Sequence, residues 1–318
     1  MARTEPARPV LAVVGPTCSG KTTLAVRLAE LLAPGELVSA DSRQVLRGLP
    51  VGTCAPTEEQ LRGVPCHLIG IVDPGEAFTV ADWAMRARTA IEAIGERSAL
   101  PIVVGGTGLY VTALVEGYDF GDAAPAGDRA DRVLRASTQE GLIALAAELR
   151  ARNADAATRV DVRNPRRVIR ALEILDAHQD RWPEGSGDAV TTLLVGLEPT
   201  REAHAAWIAE RSRALFEDLG LLDEVRRVVA AGCSREVLAG SGIGYREALA
   251  VLEGTCPVAD AVAATARRTL RYAKAQRTYW RRGSRVTWHD PAGLDVTALA
   301  HDLAARLDHH AAAGLQPP

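Results

Sequence analysis

The chain has 318 residues, 47% of them hydrophobic and 24% charged, with a formal net charge of −3 at pH 7. These values are ordinary for a globular protein in water, they argue against a uniformly basic nucleic-acid binder, and no apolar run approaches the roughly 18 residues of a membrane span. The first nine residues lack the apolar core of a signal peptide and the five scattered cysteines form no C-x-x-C pair, so we expect no membrane, no disulfide framework and a cytoplasmic location.

The most specific motif lies near the start of the chain. Gly15–Thr22 has the sequence G-P-T-C-S-G-K-T, which matches the phosphate-binding pattern G-x-x-x-x-G-K-[ST]. A short apolar run precedes it and apolar residues at helical spacing follow it, so we predict a strand, a glycine-rich loop and a helix. In that arrangement Lys21, one of only two lysines, would reach the outer phosphate and Thr22 would hold Mg²⁺. The other interpretation is a glycine turn that binds nothing.

A second predicted strand, Glu36–Ala40, ends at an acidic residue. Ligands of open α/β sheets bind at the carboxyl ends of the strands, so we expect Asp41 to face the same cleft as the phosphate loop. Asp41 could instead serve only to cap a turn or helix. The Gly- and Pro-rich stretch Gly48–Asp73 is predicted to be a loop that crosses this face.

The next segments complete the predicted sheet. Thr79 caps a predicted helix that runs to about Arg97, and a third buried strand, Leu100–Val104, leads into G-G-T-G. Three successive strand–loop–helix units predict an α/β fold, a P-loop NTPase-like parallel sheet flanked by helices. The third strand does not end in the acidic residue that ATP hydrolases usually carry there.

Two changes in composition divide the chain. Tyr118–Gly127 and Trp182–Asp188 are rich in Gly, Ala, Pro and Asp, and only helical patterns lie between them. We therefore predict a core domain of residues 1–120 and 188–318 and a helical insertion domain of residues 121–187. The rest of the core is predicted to contain a returning strand at 191–196, helices at 201–219, 221–231, 245–252, 257–282 and 295–312, and a short strand at 286–288.

Positive charge collects in two places. One cluster is in the insertion, at Arg163, Arg166, Arg167 and Arg170. The second lies on the long C-terminal helix, where no acidic residue separates Asp260 from Asp290: Arg267, Arg268, Arg271, Lys274, Arg277, Arg281, Arg282 and Arg285. We expect these surfaces to bind a phosphate backbone rather than to be paired with acids elsewhere. The residues thus favour a P-loop enzyme that acts on nucleic acid; a small-molecule P-loop kinase and a nucleotide-gated RNA-binding module are the alternatives.

Several stretches together resemble one family, the tRNA dimethylallyltransferases, also called tRNA isopentenyltransferases, in their bacterial form without a C-terminal zinc finger. The resemblance departs from the family pattern at Leu46, Ala55, Cys66, Gly70, Leu270 and Ala275. The matching stretches occur in the family's order, from about residue 10 to residue 282: Gly15–Thr22, Asp41–Val45, Gly52–Thr53 with Pro56, His67–Ile69, Gly105–Tyr110, Asn164–Glu173, Gly242–Glu247, and Ala273, Lys274, Gln276 and Thr278.

The resemblance implies an activity and a set of site residues. It implies transfer of a dimethylallyl group from dimethylallyl diphosphate to N6 of adenosine 37 in tRNAs that read codons beginning with U, with no ATP consumed. Asp41 would be the general base and Thr107 would orient the base or Asp41. The implied diphosphate-binding residues are Gly15, Pro16, Thr17, Cys18, Ser19, Gly20, Lys21, Thr22 and Arg211.

The same resemblance implies partners and a cofactor. Thr22 would bind Mg²⁺, and the anticodon stem-loop of tRNA would be held by a monomer. A relative that prenylates free adenine nucleotides is the remaining alternative within this chemistry. The implied tRNA contacts are Asp41, Ser42, Arg43, Gln44, Thr107, Arg129, Arg166, Arg167, Val168, Ile169 and Arg170.

Overall fold

A computed structural model describes residues 9–32, 34–117, 128–182, 190–281 and 285–313. Contacts divide the chain into two compact units: a core unit, Met1–Val115 with Val190–Pro318, and an insertion unit, Glu116–Ala189. The predicted domain boundaries at 120/121 and 187/188 lie outside the described residues, as does Arg282 of the second basic cluster.

The core unit is built on a parallel sheet of six strands in the order β3-β2-β4-β1-β5-β6. This confirms the predicted α/β fold, including the short strand near residue 286. All five strand pairings are parallel, so the carboxyl ends of the strands lie along one edge. The strands are β1 (Val10–Val14), β2 (Gly35–Ser39), β3 (Cys66–His67), β4 (Leu100–Gly105), β5 (Thr192–Leu197) and β6 (Val286–His289).

Helices account for most of the remaining described residues of the core unit. A short 3₁₀ helix, Pro291–Gly293, follows β6. The helices are α1 (Lys21–Leu31), α2 (Glu58–Leu61), α3 (Val80–Glu96), α4 (Gly108–Val115), α9 (Arg201–Glu217), α10 (Leu221–Ala230), α11 (Arg235–Ser241), α12 (Tyr245–Leu252), α13 (Val258–Trp280) and α14 (Val296–Ala313); the insertion unit contains α5 (Arg129–Arg135), α6 (Gln139–Arg152), α7 (Ala154–Arg159) and α8 (Pro165–Ala177).

The sheet is buried on both faces, which explains why its strands are continuously apolar. Alternate residues such as Leu11 and Val13 of β1 pack with α1 and α14, for example against Leu28 and Leu303. The intervening residues of β1 are fully buried as well, so the second face is also covered. None of the described helices combines the length and apolar character needed to cross a bilayer.

Some short elements were not predicted. The stretch Gly48–Asp73, predicted to be a loop, contains the one-turn helix α2 and the two-residue strand β3. Thr79 does cap α3, as predicted, by accepting a hydrogen bond from the backbone N–H of Asp82. Elements of two to four residues are too short to show a period in the sequence, so hydrophobic patterning cannot detect them.

A second core cluster fixes a loop that leads to the cleft. Glu224 of α10 is 3% exposed, and its carboxylate accepts hydrogen bonds from the backbone N–H groups of Val51 (2.8 Å) and Gly52 (3.0 Å). The Tyr245 hydroxyl also lies 2.8 Å from this carboxylate and 3.1 Å from the carbonyl of Leu49. A Cβ on Gly52 would come within 2.3 Å of the Tyr245 ring, so only glycine fits there.

The described part of the insertion unit is helical and has its own core. Leu145 and Leu149 of α6 pack against Leu172 and Leu175 of α8. The side chain of Asn164 caps α8 by accepting hydrogen bonds from the first backbone N–H groups of that helix. This packing explains the apolar spacing of the segment without any strand.

Candidate active site

The phosphate loop connects β1 to α1 in a conformation that requires its glycines. Gly15 has φ +140°, and a Cβ there would lie 2.5 Å from the carbonyl oxygen of Leu197 in β5. Gly20 has φ +84° and directly precedes α1. A glycine-rich turn that ends at a helix N-terminus directs backbone donors and partial positive charge to one point. The predicted strand–loop–helix geometry is therefore present.

A cavity of about 190 Å³ opens beside this loop. It is lined by the loop itself, by residues at the ends of β2 and β4, by part of the Gly48–Asp73 stretch and by α9. Its lining residues are Thr17, Cys18, Ser19, Gly20, Lys21, Thr22, Thr23, Ser39, Asp41, Gln44, Thr53, Cys54, Pro56, Gln60, Cys66, Val104, Gly105 and Arg211.

Two buried hydrogen-bond donors in this cavity have no acceptor among the described residues. Ser19 Oγ and Arg211 Nε are buried and have no hydrogen-bond partner among the described residues. Lys21 Nζ donates to the carbonyl of Pro16 at 2.6 Å. Burial lowers the pKa of Lys21 from its ordinary 10.5 to about 8, and the nearby Asp41 and Cys18 partly oppose that change. Buried donors without partners are rare in proteins, and here they lie together in a cavity suited to an anion.

The carboxylate of Asp41 lines the same cavity, two residues beyond the end of β2. Its Oδ1 atom accepts hydrogen bonds from the backbone N–H groups of Arg43 (2.8 Å) and Gln44 (3.4 Å), which closes a tight turn. No described residue hydrogen-bonds Oδ2 of Asp41. One oxygen thus stabilises the turn while the other can take part in chemistry.

Thr107 follows β4 and contacts the turn rather than the Asp41 carboxylate. Its Oγ1 accepts a hydrogen bond from the backbone N–H of Ser42 at 3.1 Å and lies 3.5 Å from the Ser42 hydroxyl. Thr107 therefore makes no direct hydrogen bond to the Asp41 carboxylate among the described residues.

The two residues after Ser42 point in different directions. Arg43 is exposed and donates to the carbonyl of Gly240 at 3.1 Å. The amide of Gln44 is turned inward, where it donates to the carbonyl of Cys54 (3.0 Å) and accepts from Ser39 Oγ (2.9 Å). Arg43 is thus available to an external ligand, whereas Gln44 fixes the loop that carries Cys54.

Helices α9 and α13 supply site residues that sequence reasoning did not assign a role. Gln276 of α13 accepts from the backbone N–H of Thr17, and His204 of α9 lies against the Thr17 carbonyl. Tyr272 of α13 is partly buried near Asp41, and burial is the main cause that raises its pKa. Gln276 belongs to a stretch that matched the family pattern, but a lone histidine or tyrosine in a helix gives no comparable signal.

The charges on α13 are less isolated than expected. Arg268 is paired with Glu247, and Glu198 is 2.8 Å from Arg281 and 3.8 Å from Arg277. The expectation of unopposed cations was therefore wrong for these three arginines, because their partners come from other elements. A narrower exposed stripe at i, i+4 and i+7 has no ion pair among the described residues: Arg267, Arg271 and Lys274.

The predicted tRNA contacts of the insertion differ in exposure. Arg166 and Arg167 are exposed near the start of α8. The side chains of Val168 and Ile169 are buried in the unit's own core. Two further arginines of the set, Arg129 and Arg170, are ion-paired with the buried Glu173.

Comparison with known proteins gives a consistent family. The IPP transferase family model matches residues 44–283 and the Isopentenyl transferase model matches residues 8–69. The tRNA dimethylallyltransferase of Thermomicrobium roseum is 42% identical over 288 residues, which are 89% of this chain and 86% of that protein. Its counterpart in Bacillus velezensis is 38% identical over 89% of this chain and 91% of that protein.

Solved structures resemble this chain over nearly its whole length. The full-length tRNA isopentenylpyrophosphate transferase of Bacillus halodurans is 35% identical with a TM-score of 0.70, covering 95% of this chain and 97% of that one. A eukaryotic dimethylallyltransferase acting on tRNA shares the fold with a TM-score of 0.74 at 23% identity, covering 95% and 79% of the two chains.

Proposed function

This chain belongs to the IPP transferase family, and from that membership we propose that it is a tRNA dimethylallyltransferase, an enzyme that transfers a prenyl group to tRNA. We propose more specifically that dimethylallyl diphosphate is the donor and that N6 of adenosine 37, in tRNAs that read codons beginning with U, is the acceptor. The observation that carries the proposal is one cavity containing both unpartnered donors for a diphosphate and the free oxygen of a carboxylate.

The leaving group is the first chemical problem. As the bond between C1 of the dimethylallyl group and the diphosphate oxygen breaks, negative charge accumulates on the diphosphate. Ser19, Lys21 and Arg211 are already positioned around the cavity, so they can stabilise that charge with little rearrangement. The phosphate loop and the N-terminus of α1 add backbone N–H donors. ATP-binding proteins use such donors to bind phosphate oxygens.

A magnesium ion fits this set of donors. Thr22 lines the cavity at the start of α1, next to Lys21, and offers a hydroxyl oxygen. The described residues include no cluster of three or more His, Cys, Asp or Glu that could enclose a metal. Mg²⁺ commonly retains water and binds phosphate oxygens, so one protein hydroxyl is consistent with its chemistry. When bound, Mg²⁺ would neutralise part of the diphosphate charge.

The acceptor amine is the second problem. The lone pair of N6 is delocalised into the purine ring, so the amine is a poor nucleophile and must lose a proton as the C–N bond forms. Asp41 Oδ2 is the proposed proton acceptor, since Oδ1 is engaged in the turn. The C1–O bond breaks, the N6–C1 bond forms, and the proton passes from N6 to Asp41.

The RNA must deliver an unstacked base to this carboxylate. Removing adenosine 37 from the anticodon-loop stack costs a few kcal/mol, which contacts elsewhere on the RNA must offset. Arg43 and the α13 stripe (Arg267, Arg271 and Lys274) are exposed cations of the core unit that could bind RNA phosphates. In the insertion unit we propose the same role for Arg129, Arg166, Arg167 and Arg170. We expect the enzyme to act as a monomer in the cytoplasm, where its tRNA substrates are found.

A labelling assay with two Asp41 variants tests the proposal. Purified protein, Mg²⁺, radiolabelled dimethylallyl diphosphate and tRNA with an adenosine at position 37 are incubated, with AMP and ATP reactions in parallel. Asp41→Asn keeps a residue that closes the same turn but cannot accept the proton, so we expect kcat to fall by roughly 10²–10⁴-fold. Asp302→Asn, on the exposed face of α14, is the matched control and should behave as the parent protein.

Each alternative outcome has a distinct meaning. Label that enters only AMP would assign the protein to the nucleotide prenyltransferases. ATP turnover without transfer of label would indicate a P-loop kinase or ATPase. If Asp41→Asn transferred label at the parent rate while Asp41→Ala did not, Asp41 would be a turn residue and not the base.

A further inference from the structure

His204 is a buried side chain that contacts the backbone of the phosphate loop at Thr17. It lies in the first turn of α9 and is 1% exposed. Its Nε2 is 2.7 Å from the carbonyl oxygen of Thr17, and its Nδ1 is 2.7 Å from Nη2 of Arg277. A guanidinium can only donate, so Nδ1 must be the acceptor. His204 is therefore neutral, with its hydrogen on Nε2 and donated to Thr17.

The backbone N–H of Thr17 is bound by a side chain of α13. Its backbone N–H donates to Oε1 of Gln276 at 2.8 Å, and the Gln276 amide donates in turn to the carbonyl of Gly106 at 2.9 Å. A Cβ on Gly106 would lie 2.2 Å from that amide nitrogen, so the fit is close. Both backbone polar groups of Thr17 are thus engaged by side chains, and its N–H is not free to bind a phosphate.

We propose that His204 is a positioning residue that, together with Gln276, clamps Thr17 and so fixes the phosphate loop in the conformation that binds diphosphate. We further propose that protonation of His204 releases this clamp, so that diphosphate binding weakens below neutral pH. The inference rests on the proposed function only in taking a diphosphate as the ligand of the loop.

The charges around His204 explain the direction of the pH effect. Protonation would place a hydrogen on Nδ1, directly against the Arg277 donor, and would add a third positive charge near Arg277 and Lys21. Glu198, 3.8 Å from Arg277 Nε, offsets only part of this charge because it also pairs with Arg281. Arg201 adds a further positive charge near Arg277.

The neutral form is therefore the stable one in the folded protein. Burial is the main cause that lowers the pKa of His204 below its ordinary 6.5, and the charges of Arg277 and Lys21 lower it further. His204 is thus neutral at pH 7.5. The folded protein loses stability relative to the unfolded chain as the pH falls below 6.5, and the clamp itself is released as the pH falls through the lowered pKa of His204 in the folded protein. The clamp should be intact at neutral pH and weakened in acid.

The test measures binding of inorganic diphosphate with Mg²⁺ by titration calorimetry from pH 7.5 down to the lowest pH at which circular dichroism shows that the protein remains folded. His204→Gln keeps an amide that can donate to Thr17 and accept from Arg277, yet it does not titrate. His204→Leu removes both hydrogen bonds, and His301→Gln, on the exposed face of α14, is the matched control. Protonation of the ligand itself cancels when the parent protein and His204→Gln are compared at each pH.

At pH 7.5 we expect His204→Leu to bind diphosphate about 3- to 10-fold more weakly, as for loss of one or two buried hydrogen bonds, and His204→Gln to restore binding to within about twofold. As the pH falls further below 6.5, the parent protein should lose affinity relative to His204→Gln, by up to about 3- to 10-fold once His204 is protonated, and His301→Gln should follow the parent. Equal pH dependence of the parent and His204→Gln would overturn the proposal, and so would parent-like affinity of a folded His204→Leu.

The experiment also separates this inference from the proposed function. Diphosphate binding is measured without tRNA and without prenyl transfer, so failure of the transfer assay leaves it unaffected. If His204→Leu does not fold, as judged by circular dichroism, the comparison of the parent with His204→Gln still decides the question. In the transfer assay the same release should raise KM for the donor in acid in the parent protein but not in His204→Gln.

Discussion

Binding of the donor should cause the protein to take up a proton at Lys21. The partly buried Lys21 side chain lines the cavity and donates to the carbonyl of Pro16, and its pKa is lowered to about 8. A diphosphate bound by the loop places negative charge beside Nζ, and one such charge at 4 Å is worth about 4 kcal/mol at an effective dielectric constant of 20. That energy is enough to keep Lys21 protonated in the complex throughout pH 7–9.

The number of protons taken up equals the fraction of Lys21 side chains that are neutral before the donor binds. At pH 8 about half of the Lys21 side chains are neutral before binding, so about half a proton should be taken up per donor bound; about 0.1 is expected at pH 7 and about 0.9 at pH 9. Affinity should then weaken by up to about tenfold per pH unit above pH 8. The direction is the opposite of the acid effect expected from His204, because here the charged form of the side chain is the one that binds.

Calorimetry in pairs of buffers with different ionisation enthalpies measures this uptake directly. The ligand is dimethylallyl diphosphate, and no tRNA is added. The phosphate groups of this ligand finish ionising below about pH 7. Lys21→Arg is the control, because a guanidinium stays charged and should bind with no proton uptake at pH 8. An uptake that is absent in the parent protein at pH 8, or equal in Lys21→Arg, would refute the reasoning.

Two further predictions concern the core beneath the Val51–Gly52 loop and the cysteines that line the cavity. Tyr245→Phe removes the hydroxyl beside the buried Glu224 carboxylate, a hydrogen bond to a charged group worth about 1.5–3 kcal/mol, and should lower the thermal midpoint by about 4–10 °C in a calorimetric scan; a change within about 1 °C would show that Glu224 does not depend on it. Diphosphate should slow maleimide labelling of Cys18 and Cys54, which line the cavity, by more than about fivefold as followed by mass spectrometry, whereas Cys233 lies outside the lining and should label at an unchanged rate. Equal protection of Cys233 would point to a general change in the protein and not to occupancy of the cavity.

The sequence predicted the parts of the site that depend on local pattern and sheet topology. The phosphate loop, Asp41 and Thr107 each follow a strand, and parallel strands bring their carboxyl ends to one edge of the sheet. No knowledge of side-chain packing was needed for that inference. The short elements α2 and β3 could not be predicted, because four and two residues span only about one period of a helix or strand and so show no repeat.

The long-range contacts could not be predicted from the sequence. His204 and Gln276 reach Thr17 across separations of 187 and 259 residues, and only the packing of α9 and α13 decides which of their side chains face the loop. The same reason explains the error about α13: the acids that pair with Arg268 and Arg281 lie on other elements, so charge spacing along one helix could not reveal them.

Close approach of three backbone turns explains how one small cavity could serve both parts of the proposed reaction, the departure of the diphosphate and the removal of the proton. The strand order places β4 between β1 and β2, so the turns that follow these three strands are neighbours. A Cβ on Gly105 would be 2.1 Å from the carbonyl oxygen of Ala40, and one on Gly106 would be 3.3 Å from that of Gly15. The glycines therefore allow the backbone to pack where side chains would otherwise separate the turns. Because of that proximity, the loop proposed to bind the leaving group and the Asp41 carboxylate line the same 190 Å³ cavity, as the proposed direct displacement at carbon requires.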